Sequence, residues 1–149
     1  MKGKIYRLLN IKDSEAGPVF DLLSVQFCMG LAHALVNIIA FTLFIYNFQI
    51  RYLPDVYLVV AVGLIVINII YEKLEHRFPA FLLLKHIIAF SAVLLLLLWV
   101  GLTYGDHNIF IFTLISASVL LYMLNGYAFW GLVSMNFNVR ESRRVFSIV

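Results

Sequence analysis

Four apolar stretches constrain this chain more than any other feature. They run from Val19 to Phe48, Asp55 to Tyr71, Phe81 to Tyr104 and Ile109 to Phe137. A hydrocarbon layer of roughly 30 Å is crossed by about 20 helical residues, so each is long enough to serve as a transmembrane helix. The first and last are the longest and are expected to tilt or to project beyond the core. With 63% apolar and 13% charged residues, the chain has too little polar surface to coat a water-soluble core. The lipid bilayer is therefore the expected partner of most of its surface.

The connections Gln49 to Pro54, Glu72 to Ala80 and Gly105 to Asn108 are too short for crossovers, which makes consecutive helices antiparallel neighbours. Pro54 and Pro79 fall where helices start, a position at which the missing N–H costs nothing. The expected fold is an all-α membrane domain over residues 19–137. A polar, basic segment over residues 1–18 precedes it, and Asp13-Ser14-Glu15 within that segment suits the first turn of an interfacial helix. Residues 138–149 read as a basic tail or as the start of a loop to a further helix. A cleaved signal peptide is not expected, because the first apolar stretch far exceeds a signal's apolar region. A lipoprotein site at Cys28 does not fit the bulky Val25-Gln26-Phe27 before it, and a single cysteine makes no internal disulfide.

Ten of the eleven Lys and Arg residues fall on one side of this topology. Lys2, Lys4, Arg7 and Lys12 precede helix 1, Lys73, Arg77 and Lys85 surround the second connection, and Arg140, Arg143 and Arg144 follow helix 4; only Arg51 lies opposite. The positive-inside rule then places both termini in the cytoplasm, and the expected location is a bacterial inner membrane. It also accounts for the net charge of +3 without a nucleic-acid partner.

Polar residues within a span mark faces turned to protein or water. In helix 1, Gln26, Gly30, His33 and Asn37 share one face, and in helix 4 Ser118, Tyr122 and Asn125 recur with Phe129 at similar spacing. Helix 2 carries Asn68, Tyr71 and Glu72 near one end, and helix 3 offers little beyond Ser91, as expected of a peripheral helix that mostly meets lipid. Gln26, His33, Asn37, Ser118, Tyr122 and Asn125 are thus candidates for the wall of a substrate-accessible cavity. The competing reading is plain helix packing, in which such residues act as glue worth about 1 kcal/mol or less. Tyr122, Tyr127, Phe129 and Trp130 also suit an interfacial aromatic belt. No HExxH motif, phosphate loop, intramembrane carboxylate pair or nucleophile–base pair is present, so no enzyme activity, cofactor or metal is expected.

Leu53-Pro54-Asp55-Val56-Tyr57 at the entry to helix 2, Tyr71-Glu72-Lys73-Leu74-Glu75-His76-Arg77 at its exit, and Phe137-Asn138-Val139-Arg140-Glu141-Ser142-Arg143-Arg144-Val145-Phe146 after helix 4 resemble the major facilitator superfamily. More narrowly, they look like its ATP/ADP-translocase-like branch, which includes bacterial members with HEAT repeats and a cyclic-nucleotide-binding domain. The resemblance runs from Asp13 over nearly the whole chain. It implies that helices 1 to 4 of a facilitator fold are present, that helices 1 and 4 line the path, and that transport of a small organic solute or nucleotide-like substrate proceeds by alternating access. Glu75 and Arg77 would be the charges of the gating loop, with Arg140, Glu141 and Arg143 in the loop that latches against it. Two departures stand against the pattern. The chain stops where a fifth of twelve helices should begin, and no Lys or Arg within helix 1 or helix 4 is available for phosphates. The alternative is a non-transporting accessory or scaffold subunit that binds further transmembrane helices of partner chains.

Overall fold

The computed structural model describes residues 16–136. Four helices fill this span: α1 Ala16–Asn47, α2 Leu53–Glu75, α3 Ala80–Tyr104 and α4 His107–Asn136, with a 3-10 turn at Ile50–Tyr52 leading into α2. All four are long and apolar enough to cross a membrane. Among the described residues no strand occurs, so the architecture is that of an all-α membrane protein. The N-terminal segment, including Asp13-Ser14-Glu15, and the basic segment after α4 lie outside the described residues.

Local chemistry explains the boundaries. Pro54 occupies the first turn of α2, and Pro79, with φ −62° and ψ 141°, is the residue from which α3 starts. Asp106 accepts the backbone N–H of Asn108 at 3.1 Å and so caps the start of α4. α2 continues to Glu75, past the Tyr71 at which its apolar run ends. Glu, Lys and Leu are good helix formers, and a helix need not stop where the hydrocarbon does. Several hydroxyls return to their own helix: Ser24 donates to the Phe20 carbonyl, Thr103 to Trp99 and Thr113 to Ile109. Each such bond lets a polar side chain sit in lipid at little cost, which removes these residues as site candidates.

The bundle is organised on α4. α1, α2 and α3 each pack against it, whereas α2 and α3 barely meet and α1 makes only marginal contact with either. Side-chain pairs give the directions. His33 meets Tyr122 and Phe44 meets Phe112, so α1 is antiparallel to α4. Gly63 lies beside Leu120 and Tyr71 reaches Tyr127, so α2 runs parallel to α4. Phe110 lies over Gly101 and Asn125 bonds Ser91, so α3 is antiparallel to it.

Two clusters form the core. One joins Phe44, Val56, Leu98, Ile111 and Ile115 from all four helices, and the other joins Leu22, Leu83, Ile87, Phe129 and Val133 from three. Between them a polar clasp fixes α3 to α4: Asn125 Nδ2 donates to Ser91 Oγ at 2.9 Å and to its own helix at the Leu121 carbonyl, while Ser91 donates to Ile87. Helix 3, expected mostly to meet lipid, does leave most of its span unburied, but it also carries a packing face. α3 buries Leu83, Leu84, Ile87, Ser91 and Leu98 against α4, and it is α1 and α2 that bury the smallest share of their spans. Phe129, expected as part of an interfacial belt, is fully buried in the core.

Candidate functional site

α1 meets α4 tightly at its two ends and loosely in between. Its buried residues are Val19 and Leu22 near the start and Ala40 and Phe44 near the end; none from Leu23 to Ile39 is buried. Counted at 3.6 residues per turn, Gln26, Gly30, His33 and Asn37 continue the same line on the helix as those four residues. The polar stripe therefore occupies the α4-facing side of α1, over the stretch where the two helices do not close on each other.

Small side chains keep that stretch open. A Cβ added at Gly30, or at Gly126 on α4, meets nothing within 4 Å. The His33 ring packs edge-on against Tyr122 with centroids 5.5 Å apart. His33 is half-buried and Tyr122 is 52% exposed, so the pair stands at the rim rather than inside the bundle. Asn37 is half-buried overall, but its Oδ1 is enclosed and accepts no hydrogen bond. A buried carbonyl oxygen left without a donor costs about 1–3 kcal/mol, which makes it the strongest unmet demand at the site.

Of the six expected cavity residues, the structure brings Gln26, His33, Asn37 and Tyr122 to this strip and turns the other two away. Ser118 is buried and its hydroxyl donates to the Ile115 carbonyl at 2.8 Å. Asn125 is buried and committed to Ser91 on α3. The strip therefore offers two amides, an imidazole and a phenol, and no Lys, Arg, Asp or Glu lies on α1 beyond Asp21. That set can donate and accept hydrogen bonds to a neutral polar solute or to water, but it has no fixed charge with which to hold a phosphate. Among the described residues no group of His, Cys, Asp and Glu is placed to hold a metal ion.

At the opposite end of α2, the gating-loop candidates separate. The Glu75 carboxylate and the Tyr71 hydroxyl approach α4 at Gly131, where an added Cβ would stand 3.6 and 2.9 Å from them, and Tyr71 donates to the Tyr127 carbonyl. Arg77 is exposed in the turn after α2, its backbone N–H bonded to the Leu74 carbonyl. Arg140, Glu141 and Arg143 lie outside the described residues.

A second feature has no counterpart in the sequence reading. An apolar cleft of about 530 Å³ opens between α2 and α3, with Ala117, Leu120, Leu121 and Leu124 of α4 as its floor, and none of the six cavity candidates lines it. Hydropathy gives no signal for it, because its walls are made of the same residues that face lipid. Compared with protein-family models, curated proteins and solved structures, the chain matches none.

Proposed function

We propose that the chain is the α1–α4 part of a facilitator-type transporter of the bacterial inner membrane, with both termini cytoplasmic, in which α1 and α4 line the solute path. The observation that carries this reading is the strip just described. Along the α4-facing line of α1 the ends are sealed by apolar side chains, while the middle holds polar groups and open glycine positions. Polar groups at membrane depth are stable only against water, solute or protein. The composition of the strip favours a neutral, hydrogen-bonding organic solute over a nucleotide. On this reading Glu75 and Arg77 belong to the cytoplasmic gate, and alternating access arises as the α1–α4 body rocks against the helices that complete the path.

A second reading is favoured by the low burial of α1 and α2 within the four-helix body. Two helices with that much free surface suit a scaffold whose polar strip is covered by helices of partner subunits. The double substitution Gln26→Leu with Asn37→Leu separates the two. Cells expressing the wild-type protein and cells expressing the variant at equal membrane levels are compared for total small-solute content. The transport reading expects at least one polar solute to follow the wild type several-fold and to be lost in the variant, with the assembly intact. Equal solute profiles with a dissociated assembly would establish the scaffold.

A further inference from the structure

Although the cleft between α2 and α3 is almost wholly apolar, it is closed by α4 behind and bounded by polar chemistry at one end only. Its α3 wall extends from Leu83 to Leu94, and 11 residues at 1.5 Å each give a depth of about 16 Å. That is half of a hydrocarbon core of roughly 30 Å, so the cleft is as deep as a single leaflet. Its volume of about 530 Å³ falls in the range of roughly 300–1,000 Å³ that encloses a small-molecule-sized ligand. The end that reaches the membrane surface is the α2–α3 turn, where Phe78 and His86 line the opening.

The charges around that opening are unequally placed. Arg77 is exposed and adjoins Phe78. The His86 ring donates its Nδ1–H to the Leu82 carbonyl, so in the neutral ring Nε2 is an acceptor and offers a phosphate no hydrogen bond. Lys73 lies round α2 from the residues that line the cleft, and Lys85 falls on the opposite face of α3, so neither takes part. Of the two nearby carboxylates, Glu75 is directed to Gly131 of α4, and Glu72 lies round α2 from the residues that line the cleft. The charged group left beside the mouth is Arg77.

We infer that the α2–α3 cleft holds one acyl chain of an anionic phospholipid of the adjoining leaflet, with its headgroup phosphate at Arg77. The depth of one leaflet fits a lipid chain entering from the surface, and basic side chains between transmembrane helices at that level recognise anionic headgroups. Such a lipid would keep α2 and α3 apart while joining both to α4. The inference shares Arg77 with the proposed gate, but it concerns the face of α4 away from the α1 strip and is read out by lipid contact rather than by transport.

The test uses the full chain in phosphatidylcholine vesicles, with phosphatidylglycerol or phosphatidylcholine spin-labelled near the chain end as the probe. Electron paramagnetic resonance reports the motionally restricted fraction of each. One basic side chain at the surface supplies about fivefold in affinity, so phosphatidylglycerol is expected to be preferred by about fivefold or more. Arg77→Gln should reduce that preference by about fivefold, and Ile70→Trp, which fills the cleft from a half-exposed position on its wall, should remove the phosphatidylglycerol excess from the restricted fraction at constant helicity. Equal restriction of the two lipids, or a phosphatidylglycerol preference untouched by Ile70→Trp, overturns the inference; the latter result would assign the cleft to a helix and the preference to the outer surface.

Discussion

Gly101→Leu is expected to leave little folded protein. The ring of Phe110 lies on the bare backbone of Gly101, in the last turn of α3, and of Gly105, which caps that helix, and a Cβ at either glycine would run into ring atoms. At Gly105 that Cβ would also stand 2.8 Å from the Gly101 carbonyl oxygen. Phe110 sits in the first turn of α4 and packs on the cluster containing Leu98 and Ile111. Overpacking of a closed contact costs typically 1–3 kcal/mol, and leucine here opposes a backbone approach on which the whole α3–α4 hairpin depends, so a loss of about 3 kcal/mol is expected. Small residues four apart allow such approaches in membrane helices generally, but here they receive a side chain rather than a second backbone. Denaturation of the purified protein in mixed micelles measures the loss, and Phe110→Ala in the same chain should restore most of it. A Gly101→Leu protein as stable as wild type would show that Phe110 does not rest on α3.

Phe129→Ala is expected to cost about 2–3 kcal/mol, with the helices themselves retained. Phe129 is fully buried where Leu22 of α1 and Leu83 and Ile87 of α3 converge on α4. In water-soluble cores the same truncation costs about 3–5 kcal/mol, part of which is transfer of the ring out of water. A bilayer offers no such transfer gain, because lipid tails are as apolar as the core. What remains is the cavity and its lost dispersion contacts. Phe27, 72% exposed on α1, supplies the control, since Phe27→Ala should change stability by less than about 0.5 kcal/mol. Equal effects at the two positions would mean that Phe129 faces lipid and that α4 is not central.

That contrast also explains what could be read from the residues alone. The four spans were legible because hydropathy reports transfer into lipid, which is a property of each segment by itself. Pro54 and Pro79 marked helix starts for an equally local reason. The packing order was not legible. In a membrane, hydrophobicity does not separate a lipid-facing Leu from a buried one, so the leucine-rich α3 looked peripheral although it carries a full packing face. The clasp between Asn125 and Ser91 shows the complementary error. Asn125 looked like a cavity group by its spacing from Ser118 and Tyr122, but a rotation of one residue around α4 decides whether an amide meets α1 or α3. The helix 1 stripe was legible as a stripe. That it continues the same line as Val19, Leu22, Ala40 and Phe44, and that the helices stay apart over it, required the packed structure.

The account rests on that strip being wet from the path that α1 and α4 line, and the chain carries its own reference for the measurement. Cys28 is exposed on α1 on the side away from the stripe, two residues from Gln26. Membrane-impermeant thiol reagents are applied to each face of vesicles bearing the wild-type protein, and likewise to vesicles bearing Gln26→Cys in a Cys28→Ala background. The transport reading predicts that Cys28 stays unlabelled while the cysteine at position 26 reacts from both faces. Labelling of neither cysteine, with both still open to a lipid-soluble maleimide, would contradict it and leave the α1–α4 strip as a surface for partner helices.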